Sequence, residues 1–448
     1  MADLISISFV ILFFLLGLNF PKKAGWTALF IGPLLGPTSL TVAGSTFLPL
    51  TVYRIVFAIT IGLLISRYGR NYPISRIFKS NFVKILFLFA LMVLMVSFQD
   101  RAKNMVFSFI PNIFCAITLC FILINDRDDL MRFIKIFVIH ASIISLFILV
   151  EFYSDFNLTF FLQQSVPGVE ADELGVTSKV LNPQDRSGLY RPGGLDGNAA
   201  ATGFRLVVLF PIALWYIVRG NIISILPSLL TLIAIVHLQT RASWLAIGVS
   251  ILFLCLVFFQ NYERKLKKIM FIGLLFFTFS LALFFLIQPK YFHLIKLYMS
   301  TTLISSFDLT SNNSFAEKWD RLPFAFNIIF SKPLFGYMVS RYYAEGYMFF
   351  GLDLPSPLVY MISGGIVLTS IYLLHLFFMP ISMYAMSKRS KYHINEKLFL
   401  LFAASGLFAG IFCVFTNYQE THLLIMYMIY ISCYKVYNFY DNQQRVVK

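Results

Sequence analysis

Long apolar segments recur along the whole chain and are separated by short polar connections. A helix of about 20 apolar residues is long enough to cross a bilayer. Thirteen segments of this kind lie near residues 4–20, 25–45, 49–66, 81–98, 105–125, 131–152, 199–218, 221–238, 241–259, 269–288, 356–380, 397–416 and 421–438. The pattern predicts an all-α polytopic membrane protein with about 12–13 transmembrane helices.

Two polar regions are too long to be simple turns between neighbouring helices. They span residues 153–198 and 289–355, and we expect the second to contain short amphipathic helices. The whole chain, residues 1–448, is interpreted as one integral membrane domain that includes both loops. No repeat of fixed period is visible, so the inverted-repeat pattern of many secondary transporters is not seen.

Composition agrees with the membrane interpretation and excludes several functions. The chain is 58% hydrophobic and only 13% charged, whereas soluble domains carry roughly 25% charged residues. A soluble enzyme, a disordered scaffold and a nucleic-acid-binding domain are therefore excluded. All five cysteines lie in apolar segments and form no cluster with histidine, so we expect neither disulfides nor a metal site, and no cofactor.

Lysine and arginine are distributed unequally between the two sides of the predicted bundle. Alternating the spans puts 20 basic residues on one side and three in the short loops of the other. The positive-inside rule assigns the basic side to the cytoplasm. Both long loops then face outward, and most of the net charge of +15 reflects topology rather than a ligand.

Three arginines remain that this rule does not explain. Arg54 and Arg205 lie about six residues inside the outer ends of their spans, a depth of roughly 9 Å. Arg241 opens its span on the same side. A charge at membrane depth is costly and faces a partner or a polar cavity. We expect no acidic residue within the spans to pair with these arginines, so they indicate an anionic ligand. The planar guanidinium suits phosphate oxygens, which favours a lipid diphosphate.

A glycine-rich stretch lies where the first long loop meets the next span. It reads Arg191-Pro-Gly-Gly-Leu-Asp-Gly-Asn198 and includes Gly194. Glycines permit positive φ and close approach of a ligand to the backbone. Asn198 is a suitable N-cap for the following helix, whose N-terminus favours anions. The stretch therefore predicts an arginine beside a glycine-rich anion cradle.

Four stretches in this order resemble the O-antigen ligase and polymerase superfamily. The first, from Arg191 to Asn198, is similar to that family's R-x-x-G-x-x-x-x-N element but is one residue shorter between the glycine and the asparagine. Thr240-Arg-Ala-Ser-Trp-Leu-Ala246 is similar to its T-R-x-x-W-L-A element. Lys332-Pro-Leu-Phe-Gly-Tyr337 resembles its P-L-x-G stretch. Gly364-Gly365 matches the small-residue step after the second loop. Order and topology agree over roughly residues 50–440.

The resemblance implies a GT-C-like membrane glycosyltransferase at the periplasmic face of the bacterial inner membrane. Its donor would be an oligosaccharide on undecaprenyl diphosphate, transferred without a metal, and a chain-length regulator is a further partner that it allows. The catalytic candidates are Arg191, Arg241, Arg321 and Asp353. The diphosphate-binding candidates are Arg54, Arg191, Gly194, Asn198, Arg205 and Arg241. The candidates for the acceptor side are Glu317, Asp320, Arg341, Tyr342 and His422.

Three functions stay open at this point. Many ligases of the family place a histidine shortly before the glycine-rich span, whereas this chain has Asp353-Leu-Pro-Ser-Pro357 there. That departure favours a polymerase of lipid-linked repeat units over a ligase that transfers the glycan to the lipid A core. A transporter or flippase of an anionic solute would also use intramembrane arginines. Two long outer loops and arginines near one surface favour the enzyme.

The loop assignment makes a direct topological prediction. Cysteines introduced at Ser178 or Ser314 should react with a membrane-impermeant thiol reagent on intact spheroplasts, because the positive-inside rule places both loops outside. Labelling that occurs only after membrane rupture would reverse the model and move the arginines to the cytoplasmic face.

Overall fold

The computed structural model describes twelve helices of the chain. The described residues are 2–35, 52–68, 80–99, 103–154, 192–194, 199–219, 225–238, 240–261, 323, 325–338, 356–389, 392–416 and 423–440. The helices are α1 Ala2–Asn19, α2 Pro21–Leu35, α3 Val52–Tyr68, α4 Asn81–Gln99, α5 Lys103–Leu123, α6 Arg127–Ser154, α7 Ala199–Val218, α8 Ile225–His237, α9 Arg241–Asn261, α10 Ser356–Ser387, α11 Ile394–Thr416 and α12 Leu423–Tyr434. A π-helical turn, Lys435–Tyr440, follows α12.

These helices confirm the predicted all-α membrane fold. Four of them, α6, α7, α10 and α11, are long and apolar enough to cross a membrane by themselves. The predicted span 199–218 coincides with α7, and α10 runs seven residues past the predicted end at residue 380, to Ser387. The expected span 269–288 lies outside the described residues.

Helix α7 lies at the centre of the bundle and packs against α6, α8, α9 and α11. Nearly all of its residues are buried. Close packing with α11 depends on glycine, because a Cβ at Gly406 would overlap the carbonyl oxygen of Val208. Small residues of this kind let helix backbones approach each other in membranes, where dispersion forces drive association.

Several of the segments rich in lysine and arginine lie at one end of the bundle. Arg127 at the start of α6 pairs with Glu396 of α11 at 2.8 Å. Trp215, near the end of α7, donates to the carbonyl of Asn395 at 3.3 Å. Lys435 donates to Asn125 in the α5–α6 connection at 2.8 Å. These segments therefore share one end, as the alternation of spans requires, and its cytoplasmic assignment stays a prediction.

Helix α10 is broken eight residues after its start. Gly364 has φ −131° and ψ 16°, and Gly365 has φ 66° and ψ −163°. The break leaves the carbonyl of Ile362 and the amide of Ile366 without their helical partners. Instead, Ile362 accepts from the Tyr337 amide at 2.8 Å. The Ile366 amide donates to the carbonyl of Pro333 at 2.9 Å.

Residues 332–337, which we call the docking turn, supply the hydrogen-bond partners for the backbone groups at this break. A Cβ at Gly336 would lie 2.6 Å from the Gly365 amide nitrogen, so both glycines are needed for the contact. Residues 325–331 are helical and precede the turn. Their Ala325 and Ile329 pack on Val359 and Ile362 of α10. The two family-like glycine stretches are thus one structural unit.

We expect Gly365→Ala to lower the thermal unfolding midpoint of the detergent-purified protein. The new Cβ would overlap the backbone of Leu334, and a non-glycine residue in this φ/ψ region costs about 1–3 kcal/mol. Gly248→Ala is the matched control, because nothing lies within 4 Å of its Cβ position. There the alanine should leave the midpoint unchanged or raise it. Equal unfolding midpoints for the two variants would contradict the contact between the docking turn and the break in α10.

Candidate functional site

The glycine turn, Pro192–Gly194, is fixed by hydrogen bonds to two helices. Gly194 has a φ of 65°, in the left-handed region. Its amide donates to the Glu151 carboxylate of α6 at 2.8 Å. The Thr202 hydroxyl of α7 donates to the carbonyl of Gly193 at 2.7 Å. A Cβ at Gly194 would lie 2.7 Å from the Thr202 methyl group, so the turn sits directly on α7.

Glu151 corrects one expectation drawn from the sequence. We expected no acid within the spans, yet this carboxylate lies near the end of α6 and is only 1% exposed. An acid in a predicted span is itself the signal, since buried carboxylates are rare unless they are hydrogen-bonded or paired.

Arg205 lies on α7 one turn beyond Thr202 and is 3% exposed. Three helical residues rise roughly 4.5 Å, which separates Arg205 from Thr202 by one turn along the helix axis. The guanidinium is near enough to His140 of α6 for an electrostatic interaction. His140 is itself bonded through Nε2 to the carbonyl of Phe30 at 2.5 Å. The structure therefore places a buried cation beneath the glycine turn.

The Thr240–Trp244 stretch fixes the first turn of α9. The Thr240 hydroxyl donates to Ser243 at 2.6 Å, and the Thr240 carbonyl accepts from the Trp244 amide at 3.2 Å. The Trp244 indole donates to the carbonyl of Ile235 in α8 at 3.0 Å. Arg241 is the first residue of the helix that these contacts hold.

Helices α7 and α9 approach each other closely at this level. A Cβ at Gly203 would overlap the Ser243 hydroxyl and lie 3.0 Å from that of Thr240. The start of α9, which includes Arg241, therefore lies beside Gly203 of α7. Gly203 precedes Arg205 by two residues. Both helix N-termini are at this end of the bundle, and their dipoles favour negative charge.

Arg54 lies on α3, and its place in the site stays a prediction. Its helix, α3, packs against α1, α2 and α5, whereas α7 and α9 pack against each other and against α11. The shared depth expected from sequence therefore does not by itself mean shared contact. Nine candidate residues lie outside the described ranges: Arg191, Asn198, Glu317, Asp320, Arg321, Arg341, Tyr342, Asp353 and His422.

Two further buried histidines pack against aromatic side chains. His375 is fully buried, and its Nε2 bonds to the Tyr427 hydroxyl at 2.8 Å. His237 ends α8 and packs edge-on against Phe152 with ring centroids 4.4 Å apart. None of the five cysteines is in a disulfide.

Comparison with known proteins gives one family match. A family model described as O-antigen ligase matches residues 226–357. That segment contains the start of α9 and the docking turn, while the glycine turn, Glu151 and Arg205 precede it. No curated protein and no solved structure matches the chain.

Glu151→Ala should lower the unfolding midpoint, because the buried Gly194 amide loses its acceptor. The expected cost is about 1–3 kcal/mol. Glu151→Gln keeps a side-chain oxygen as acceptor and should recover most of the loss. Ser154→Ala, at an exposed position of the same helix end, is the control for general weakening of α6. Wild-type stability of Glu151→Ala would show that the contact does not hold the turn.

Proposed function

We propose that the chain polymerises oligosaccharide repeat units carried on undecaprenyl diphosphate, and the match of residues 226–357 to a family model described as O-antigen ligase supports this. The reaction takes place at the periplasmic face of the inner membrane. A sugar hydroxyl of one lipid-linked unit attacks the anomeric carbon of another glycan. The bond from that carbon to the diphosphate oxygen breaks, the hydroxyl proton passes to a base, and undecaprenyl diphosphate leaves.

The buried Arg205 beneath the glycine turn is the observation that carries this proposal. Negative charge develops on the departing diphosphate, and cations fixed in a low-dielectric site stabilise that charge without reorganisation. The guanidinium fork presents paired donors to phosphate oxygens. Arg241 begins α9 beside Gly203, and we assign it to the same diphosphate.

The other half of the reaction is assigned to the second long loop. A base must accept the proton of the attacking hydroxyl, and a carboxylate within hydrogen-bond reach can do so. Asp353, Glu317 and Asp320 are the acids that we propose for this role. Arg191 lies directly before the glycine turn in sequence, and we propose that it completes the diphosphate site.

A ligase is the second candidate, because the matching family model is described as O-antigen ligase. Deleting the gene in its source bacterium and analysing lipid-linked intermediates by mass spectrometry separates the two. Loss of a polymerase leaves undecaprenyl diphosphate bearing single repeat units. Loss of a ligase leaves it bearing long polymer. Unchanged lipid-linked intermediates would contradict both assignments.

We expect Arg205→Ala and Arg241→Ala each to reduce glycan transfer per folded molecule by roughly 10²–10³-fold, the usual cost of losing one donor to transition-state charge. The lysine variants should stay severely impaired, since a compact ammonium does not reproduce the guanidinium fork. Activity is measured as polymer formed per unit of monodisperse protein, so that loss of folded protein is not counted as loss of catalytic activity.

Lys84→Ala and Lys135→Ala are the controls for removal of a helical cation. Both side chains are exposed, as expected for residues that extend along the helix towards the membrane surface. These variants should keep wild-type activity. Wild-type activity per folded molecule in Arg205→Ala and Arg241→Ala would remove both arginines from the diphosphate site.

A further inference from the structure

The first half of α10, residues 356–363, carries three buried hydroxyls on one face. Ser356, Tyr360 and Ser363 are spaced by four and three residues, which aligns them along a helix. Their side chains are 0%, 2% and 1% exposed, respectively. Among the residues that the structure describes, none of the three hydroxyl oxygens has a hydrogen-bond partner. We call this face the hydroxyl strip.

Several other buried hydroxyls in the described helices are satisfied within their own helix. Thr60 donates to the carbonyl of Val56, Ser145 to that of Ala141, and Ser432 to that of Met428, each at 2.6 Å. Such bonds are the ordinary solution for serine and threonine in apolar helices. Burying an unsatisfied hydroxyl costs about 1–3 kcal/mol. Three of them within eight residues therefore indicate an external partner.

The surroundings of the strip define what kind of partner fits. The Tyr360 ring packs on Tyr372 and Phe89, with ring centroids 4.4 and 5.5 Å apart. Val359 and Ile362 project elsewhere and are covered by the helical segment at 325–331. Hydroxyls beside aromatic rings match a saccharide, which offers hydroxyl groups at its edges and C–H groups on its faces.

An anion is a poor fit to the strip. The first amides after the helix break, those of Ile366 and Val367, already donate to the carbonyls of Pro333 and Leu334. The end of a half-helix at Gly364 also carries the negative pole of its dipole. The strip itself supplies only neutral hydroxyls. The partner is therefore a neutral polyol.

We propose that the hydroxyl strip binds the saccharide portion of the lipid-linked substrate, apart from the diphosphate. The proposal rests on the function assigned above and adds residues that recognise the sugar. The strip begins at Ser356, the first residue of α10. Its hydroxyls are covered in this structure, so a sugar enters as the half-helix tilts.

Binding of two probes to the purified protein in detergent tests the proposal. One probe is undecaprenyl-diphosphate-linked saccharide extracted from the source bacterium, and the other is undecaprenyl diphosphate without sugar. Ser356→Ala, Tyr360→Phe and Ser363→Ala should each weaken binding of the saccharide-bearing lipid by roughly three- to tenfold. Binding of the sugar-free lipid should not change, whereas Arg205→Ala should weaken both.

Thermal unfolding distinguishes a ligand strip from structural hydrogen bonds. Removing an unsatisfied hydroxyl should leave the unfolding midpoint unchanged or higher. The matched controls Ser432→Ala and Tyr430→Phe lose satisfied bonds to Met428 and Ser382. They should unfold at lower temperature and bind both probes normally.

Two results for the strip variants would overturn the strip alone. One is unchanged affinity for the saccharide-bearing lipid, whether or not the unfolding midpoint falls. The other is equally weakened binding of both probes. Each of them leaves the diphosphate site standing, because wild-type protein still binds both probes. Wild-type protein that binds neither probe would overturn the strip together with the proposed function. Weaker binding of the sugar-bearing probe alone, in a variant of undiminished stability, supports the strip.

Discussion

Satisfaction of backbone polar groups in a membrane is the constraint on which this structure depends. An unpaired amide or carbonyl in hydrocarbon costs several kcal/mol, so irregular backbone persists only where other protein groups supply the partners. The docking turn at 332–337 meets that requirement for broken α10 through the Tyr337 amide and the Pro333 carbonyl. The same contact ties the second long polar region to the bundle and separates the 356–363 half-helix from the rest of α10.

Buried charge beside α7 is subject to the same constraint. Glu151 and Arg205 are both almost fully buried, and each would be costly alone in an apolar layer. The Glu151 carboxylate accepts a hydrogen bond from the Gly194 amide, and the glycine turn rests on Thr202, one turn from Arg205. The carboxylate thereby holds the backbone of the turn.

The sequence predicted the helices well because each apolar run, folded as a helix, forms its backbone hydrogen bonds within itself. Span 199–218 coincides with α7, and Arg205 is buried within it. Contacts between distant residues were not predictable in this way. The pairing of Gly336 with Gly365 joins residues 29 positions apart, and nothing local marks it. Glu151 was visible in sequence, but its bond to Gly194 depends on how α6 packs beside α7.

The diphosphate and the saccharide are assigned to different groups of side chains, and this separation has a consequence for substrate specificity. Under the proposed function every donor carries the same diphosphate, so the arginines and the glycine turn would recognise a constant group. Sugars differ between donors, and the hydroxyl strip would recognise them through directional neutral bonds that single substitutions can change. A site built to hydrogen-bond a substrate hydroxyl rejects an analogue without it strongly, because its own polar groups are left unpaired. Differences in sugar preference should therefore arise in the half-helix at 356–363 and in the preceding loop rather than in α7.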